Sequence, residues 1–176
     1  SRRQRQMCIR DRINIGEIMS NTSREIRSEV TKDGQLKLSI ESVEMPTPKD
    51  HEVLLKVEAS PINPSDLGLL ISFAADLSSI TTEGSGDDKV TTMNILPALH
   101  KTMAARFDKS MKVGNEGGGV VVEAGEAGKG LIGKTVGVAG GAMYSEYRCV
   151  PVDSCLVMND GTCLLYTSPS PRDVNR

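Results

Sequence analysis

The sequence predicts a mainly β (α+β) domain, a small antiparallel barrel or sandwich, and three observations carry that expectation. The first is Gly114-Asn115-Glu116-Gly117-Gly118-Gly119 running straight into Val120, Val121 and Val122. Glycine lets the incoming chain turn tightly, and three β-branched residues in succession favour an extended strand. The second is repetition. A connection with Gly125, Gly128 and Gly130 leads into Gly133-Lys134-Thr135-Val136-Gly137-Val138, and Gly140-Gly141 leads into the stretch from Ala142 to Val150. Short strands with turn signals at regular spacing are the mark of small all-β architectures. The third is the alternation from Glu52 onward, where Val53, Leu55, Val57 and Ala59 share one face while Leu54, Lys56 and Glu58 share the other.

The chain has 176 residues, enough for one domain with one sizeable core. Its ends do not read like protein. Arg2 to Asp11 and Cys163 to Asp173 resemble translations of the adapters used to prepare sequencing libraries, and Arg12 to Ile18 lacks structural pattern. Residues 1–18 are therefore expected to be adapter-derived or upstream sequence, with Met19 as the first native residue, and 163–176 an adapter-derived tail. The domain is expected over 19–162. Setting aside 1–12 and 163–176 takes seven of the 21 basic residues but only two of the 23 acidic ones, leaving 14 against 21. An acidic domain argues against nucleic acid or an anionic membrane surface as partner. Cys149 and Cys155 remain, too few for a disulfide framework or a four-cysteine zinc site, so a reducing, cytoplasmic setting is expected. No run of 18 apolar residues offers a membrane span.

In chain order, Arg24–Thr31 and Leu36–Met45 flank Lys32-Asp33-Gly34-Gln35, and an Asp-Gly pair between extended runs signals a hairpin. Leu36, Leu38, Ile40 and Val43 are its expected core residues. Pro46 and Pro48 stop the second strand, because proline cannot donate to a ladder. The alternating strand from Glu52 ends at Ser60-Pro61-Ile62-Asn63-Pro64. Asn63 is suited to cap a short helix through Leu70 whose first position is Pro64, since that position needs no N–H. The polar, acidic stretch Thr81–Lys89 reads as a mobile surface loop. Pro97–Met111 reads as an inserted helix, with Leu99, Met103 and Phe107 on one face. His100 stands alone within it. Cys155-Leu156-Val157-Met158 is a last short strand.

Four of these segments carry a resemblance. Asn63-Pro64-Ser65-Asp66, the Gly114-to-Val122 unit with Gly125, Gly133-Lys134-Thr135-Val136, and Tyr144-Ser145-Glu146-Tyr147 occur in the order found in medium-chain dehydrogenases/reductases. The stretch from Arg24 to Thr162 resembles the N-terminal, GroES-like catalytic domain of that family, closest to its zinc-independent quinone oxidoreductase branch. The resemblance implies a partly open β-barrel and, in the intact parent, a following Rossmann domain that binds NADPH or NADH and is missing here. It implies hydride transfer to a small-molecule acceptor, quinone or enone-like, and a parent that is a homodimer. Zinc-dependent members carry cysteine where this chain has Asn63 and Gly-His-Glu where it has Gly114-Asn115-Glu116; asparagine is a poor zinc ligand, so no metal is expected.

By the same resemblance, Asn63 is expected beside the nicotinamide and the acceptor, with Ser65 and Asn115 as further acceptor-binding residues. Tyr144 is the candidate catalytic residue, donating a proton or hydrogen bond to the acceptor oxygen as negative charge accumulates there. The plainer alternative for Tyr144 is a packed ring with a wet hydroxyl, and for Asn115 a turn residue before a strand. The glycine cluster is not expected to bind a dinucleotide, because that fingerprint needs a helix after it and here a strand follows. The chain alone is expected to be inactive. The alternative from another class is a non-catalytic, co-chaperonin-type binding module on the same barrel. That reading needs a long apolar hook near the N-terminus, whereas Thr81–Lys89 is acidic and mid-chain.

Overall fold

The computed structural model describes residues 21–159, 162 and 164. The expected terminal segments 1–18 and 163–176 lie outside these residues, Leu164 excepted. Ten strands form two antiparallel five-stranded sheets. In chain order they are β1 (Thr22–Val30), β2 (Gln35–Glu44), β3 (Glu52–Ala59), β4 (Ala75–Glu83), β5 (Val90–Ile95), β6 (Met111–Lys112), β7 (Glu116–Ala124), β8 (Thr135–Ala139), β9 (Tyr147–Pro151) and β10 (Cys155–Val157). One sheet runs β4-β5-β2-β1-β6 and the other β10-β8-β7-β3-β9.

The expected β1–β2 hairpin is present, with Gly34 at a φ of 81° in its turn. Its core face is shorter than the alternation suggested. Leu36 is fully buried and Leu38 packs partly, but Ile40 is 39% exposed. In β3 both faces are covered at the centre, since Leu54 is as fully buried as Val53 and Leu55. Each sheet has its own core: Val53, Leu55, Val121, Val136, Met143 and Val150 under one, and Val30, Leu36, Met93, Ile95 and Met103 under the other.

The segment 144–147 stitches the two sheets. The Ile26 amide donates to the Tyr144 carbonyl (2.8 Å), the Glu146 amide to the Arg24 carbonyl (2.9 Å) and the Val57 amide to the Glu146 carbonyl (2.9 Å). The Glu146 carboxylate also accepts from the Arg24 amide (2.9 Å) and from the Arg24 Nε (3.0 Å). The result is the partly open arrangement expected, with the two sheets joined along this seam and no closed ring of strands among the described residues.

Two expectations fail. The inserted helix is not an α-helix: Pro97–Arg106 is a run of 3₁₀ turns, and Met111–Lys112 beyond it is strand β6. A 3₁₀ run rises about 2.0 Å per residue against about 1.5 Å for an α-helix, so the same residues reach further between β5 and β6. Met103 alone in this run is buried, while Leu99 and Phe107 pack only partly against the same core. His100 pins the run from outside, its Nε2 lying 3.0 Å from the Lys32 carbonyl oxygen and its ring tilted against Phe107. The second failure is the start of the loop expected at Thr81–Lys89, of which 84–89 alone is an exposed connection. Thr81, Thr82 and Glu83 pair with Thr92, Thr91 and Val90, and two Thr–Thr hydroxyl contacts of 2.7 and 3.0 Å tie the strands.

Candidate functional site

Asn63 caps α1 (Pro64–Leu70) as expected, with the Asp66 amide donating to the Asn63 carbonyl at 2.9 Å. Asp66, three residues into the turn, returns the contact: its Oδ2 accepts from the Asn63 amide at 2.8 Å. Its other oxygen, Oδ1, accepts from the Asn115 amide at 2.8 Å, 49 residues away in sequence. Asp66 is only 1% exposed. A buried carboxylate is tolerated when backbone donors satisfy its oxygens, and here those donors belong to two of the four motif segments.

The side chains converge above this clamp. Asn63 Nδ2 donates to Glu116 Oε1 at 2.5 Å, and Asn115 Nδ2 donates to Ser65 Oγ at 3.3 Å. The Ser60 hydroxyl donates to the Glu116 carbonyl. Tyr144 reaches the same rim, its hydroxyl donating to the Pro61 carbonyl at 3.0 Å. Its ring lies over Gly114, where a Cβ would come within 2.6 Å of Cδ1, and Gly114 has a φ of 92°. Gly114 is thus required both by the turn and by the tyrosine. Asn63, Ser65 and Asn115 are thus brought together around Asp66 and Glu116, and Tyr144 joins this rim through Asp66 and the Pro61 carbonyl.

Burial, and then the charge of Asp66, push the Tyr144 phenol above its ordinary value. It therefore stays protonated, and able to donate, at a pH where an ordinary tyrosine begins to ionise. With the native state holding its proton more tightly than the unfolded chain, the stabilisation is fully present below about pH 10 and declines as pH rises through the native value. Optical titration at alkaline pH should show a phenolate component above the ordinary range that Tyr144→Phe removes. An unchanged titration curve in that variant would show that this environment is not as described. The Cys149 thiol, pushed up to about 11 chiefly by burial, carries no thiolate at neutral pH and makes no nucleophile.

Two residues of the rim received no role from the sequence. Asp66 was visible as the third residue after Asn63, the spacing of a capping box, but its link to Asn115 is tertiary. Glu116 follows Asn115 in the glycine-rich motif, and its carboxylate accepts a hydrogen bond from the Asn63 side-chain amide. Among the described residues no three His, Cys, Asp or Glu side chains come together as a group able to hold a metal ion.

Beside Glu116 opens a cleft of about 680 Å³. Its floor includes Gly117, Gly118 and Gly137 on β7 and β8, and Leu156, Met158 and Leu164 help to line it. Side chains on that floor would collide with them: a Cβ at Gly118 would lie 2.8 Å from Leu164 Cδ2, and one at Gly137 2.6 Å from Met158 Cε. The glycine run therefore lies inside β7 and forms this floor, where the sequence placed the glycines ahead of the strand. Gly117, Gly118 and Gly119 pair with Val138, Gly137 and Val136 of β8, and β3 pairs with Gly118 and Gly119 on the other side.

No protein-family model and no curated protein matches this chain. Solved structures share its fold. An NADPH:quinone reductase described from Mesorhizobium loti superposes with a TM-score of 0.54 at 18% identity, over 84% of this chain and 39% of its own. A quinone oxidoreductase of Pseudomonas syringae pv. tomato gives 0.51 at 17% identity, over 81% and 35%. A short chain alcohol dehydrogenase of E. coli, in complex with NADH, gives 0.55 at 18% identity, over 84% and 41%. The chain thus spans about two fifths of the length of these proteins, and the likeness establishes the fold.

Proposed function

We propose that this chain is the acceptor-binding, zinc-independent domain of a medium-chain dehydrogenase/reductase that reduces a quinone or enone-like small molecule with NADPH or NADH. The observation that carries the reading is the convergence of Asn63, Ser65, Asn115 and Tyr144 on one rim, beside a largely apolar cleft, in a fold shared with quinone reductases. An amide paired with a carboxylate is a poor donor set for zinc, which supports a metal-free site.

The side-chain amides suit the carboxamide edge of a nicotinamide. The described residues, by contrast, offer no pyrophosphate cradle, because Gly117–Gly119 lie inside a paired strand with no helix N-terminus behind them. A nicotinamide cofactor, when bound, supplies the hydride that, with one proton, reduces the acceptor. The chain's own part is to orient and protonate. One Asn63 N–H is held by Glu116, which fixes the amide plane and leaves its second N–H to donate. Rotation about the Tyr144 C–O bond transfers its donor from the Pro61 carbonyl to an acceptor oxygen, where a phenol that stays protonated is most useful.

Duroquinone, fully substituted and inert to thiols, tests the reading by NMR titration. At millimolar ligand, shifts are expected at the Asn63 and Asn115 side-chain amides and the Tyr144 ring, and Asn63→Ala should weaken binding about tenfold, the loss of one well-placed hydrogen bond. In the same sample NADPH should not be oxidised above a buffer blank. Shifts confined elsewhere, or none, would reject the site.

A further inference from the structure

We propose that the cleft selects its acceptor by charge: Glu58 and Glu116 make it a site for uncharged acceptors and bar those carrying a carboxylate or phosphate. This rests on the acceptor-binding reading above and narrows its substrate class. Among the described residues that line the cleft, Glu58 and Glu116 are the ionisable ones, and both are acidic. Among the described residues neither is in an ion pair. Glu116 accepts only from a neutral amide, so its charge is oriented but not cancelled. Asp66, buried beneath the rim, held by two backbone amides and close to the Tyr144 hydroxyl, adds a third carboxylate from below with no cation paired to it among the described residues.

The walls sharpen the effect. Gly117, Gly118, Gly137, Leu156 and Met158 give the cleft a low-polarity lining, and a field between such walls is less screened than one at an open surface. Hydrogen-bond donors at the rim come from neutral groups, the Asn63 and Asn115 amides and the Ser65 and Tyr144 hydroxyls, none of which compensates a second negative charge. A flat, apolar, uncharged ring fits both features: with its face on the glycine floor, its oxygen would extend past Glu116 and Pro61 toward the neutral donors, which stand next to the cleft lining. An acceptor bearing a carboxylate or a phosphate must bring its charge toward Glu58 or Glu116, and no described residue lining the cleft is a cation.

The test uses one quinone skeleton in two charge states: 2-methyl-1,4-naphthoquinone bearing a 2-carboxyethyl group at the 3-position, and its methyl ester. Both are titrated against the protein by NMR at low and at 0.5 M salt. At low salt the ester should bind about tenfold more tightly than the acid. The ratio should fall to about threefold or less in Glu58→Gln/Glu116→Gln, and likewise in wild type at 0.5 M salt, where the Debye length is only a few ångströms. Glu58→Gln alone, a change at an exposed side chain, gives an intermediate ratio and covers the case of a double variant that does not fold. Acid and ester binding equally well in wild type, or a ratio unmoved by salt and by Glu58→Gln, would overturn charge selection while leaving the acceptor site standing. If neither compound perturbs the cleft in wild type or in the variants, the acceptor site itself fails, and this inference with it.

Discussion

Gly119→Ala is expected to cost at least about 3 kcal/mol of stability, or to prevent folding, making it among the most damaging single-methyl additions open to this chain. A Cβ on Gly119 would lie 1.9 Å from the Lys56 carbonyl oxygen and 2.8 Å from its carbon. Backbone cannot swing aside as the end of a side chain can, so β7 and β3 must separate. The contact falls where Val57 pairs with Gly119, next to an irregularity in the β3–β7 register. Losing it opens the sheet that carries Val53, Leu55 and Val121, three fully buried residues of one core. Gly130→Ala is the matched control, since a Cβ there meets nothing within 4 Å; it should be neutral or slightly stabilising through the unfolded chain. Urea unfolding of the two variants beside wild type gives the comparison. Equal midpoints would mean that the two strands do not approach as closely as described.

The same glycine shows how far the sequence could be read. A glycine run followed by three valines announces a strand, and β7 is there from Glu116 to Ala124. That Gly119 in particular faces the Lys56 carbonyl depends on which strand becomes the neighbour, and no local pattern states that. The Asp33-Gly34 hairpin and the Asn63-Pro64 helix start were legible for the same reason as β7: their signals are confined to a few consecutive residues. The β4–β5 hairpin was not. Ala75–Glu83 is mostly serine, threonine and acid, and its register shifts between Asp76 and Thr81, so neither apolar alternation nor a tight turn marks it. It forms because threonine hydroxyls pair across the strands and β5 is already held by β2. The run from Pro97 misled in the opposite direction. Its apolar spacing suits an α-helix, but the run forms 3₁₀ turns, held from outside by the His100 contact with the Lys32 carbonyl, which no local pattern announces. At the site, the four residues were named through the resemblance, whereas Asp66 showed only its local capping-box spacing, because its burial and its link to Asn115 are tertiary and leave no periodic trace.

That carboxylate carries the other large effect. Asp66→Ala should destabilise the protein by about 2–4 kcal/mol, because the Asn63 and Asn115 amides each lose a charge-assisted partner and one or both are left without an acceptor in a protected position. Asp66→Asn keeps a single acceptor oxygen and turns an NH₂ toward the other N–H, so it should fall between alanine and wild type. Asp87→Ala supplies the contrast. Asp87 contacts Arg24 at 2.6 Å, but both side chains are at least half exposed, and solvent and salt screen such a pair so that it contributes little. Thermal or urea unfolding should therefore rank Asp66→Ala well below Asp66→Asn, and both below Asp87→Ala. The clamp also predicts a change that stability alone would not give. With Asp66 gone, the loop carrying Asn63 and the loop carrying Asn115 lose their shared anchor, and the two side-chain amides should shift toward free-asparagine NMR positions at temperatures where the protein is still folded. Duroquinone binding should weaken in step with them. A variant that loses stability yet keeps both amide signals in place would make Asp66 a residue of the fold alone, with the amides positioned by Glu116 and Ser65 instead.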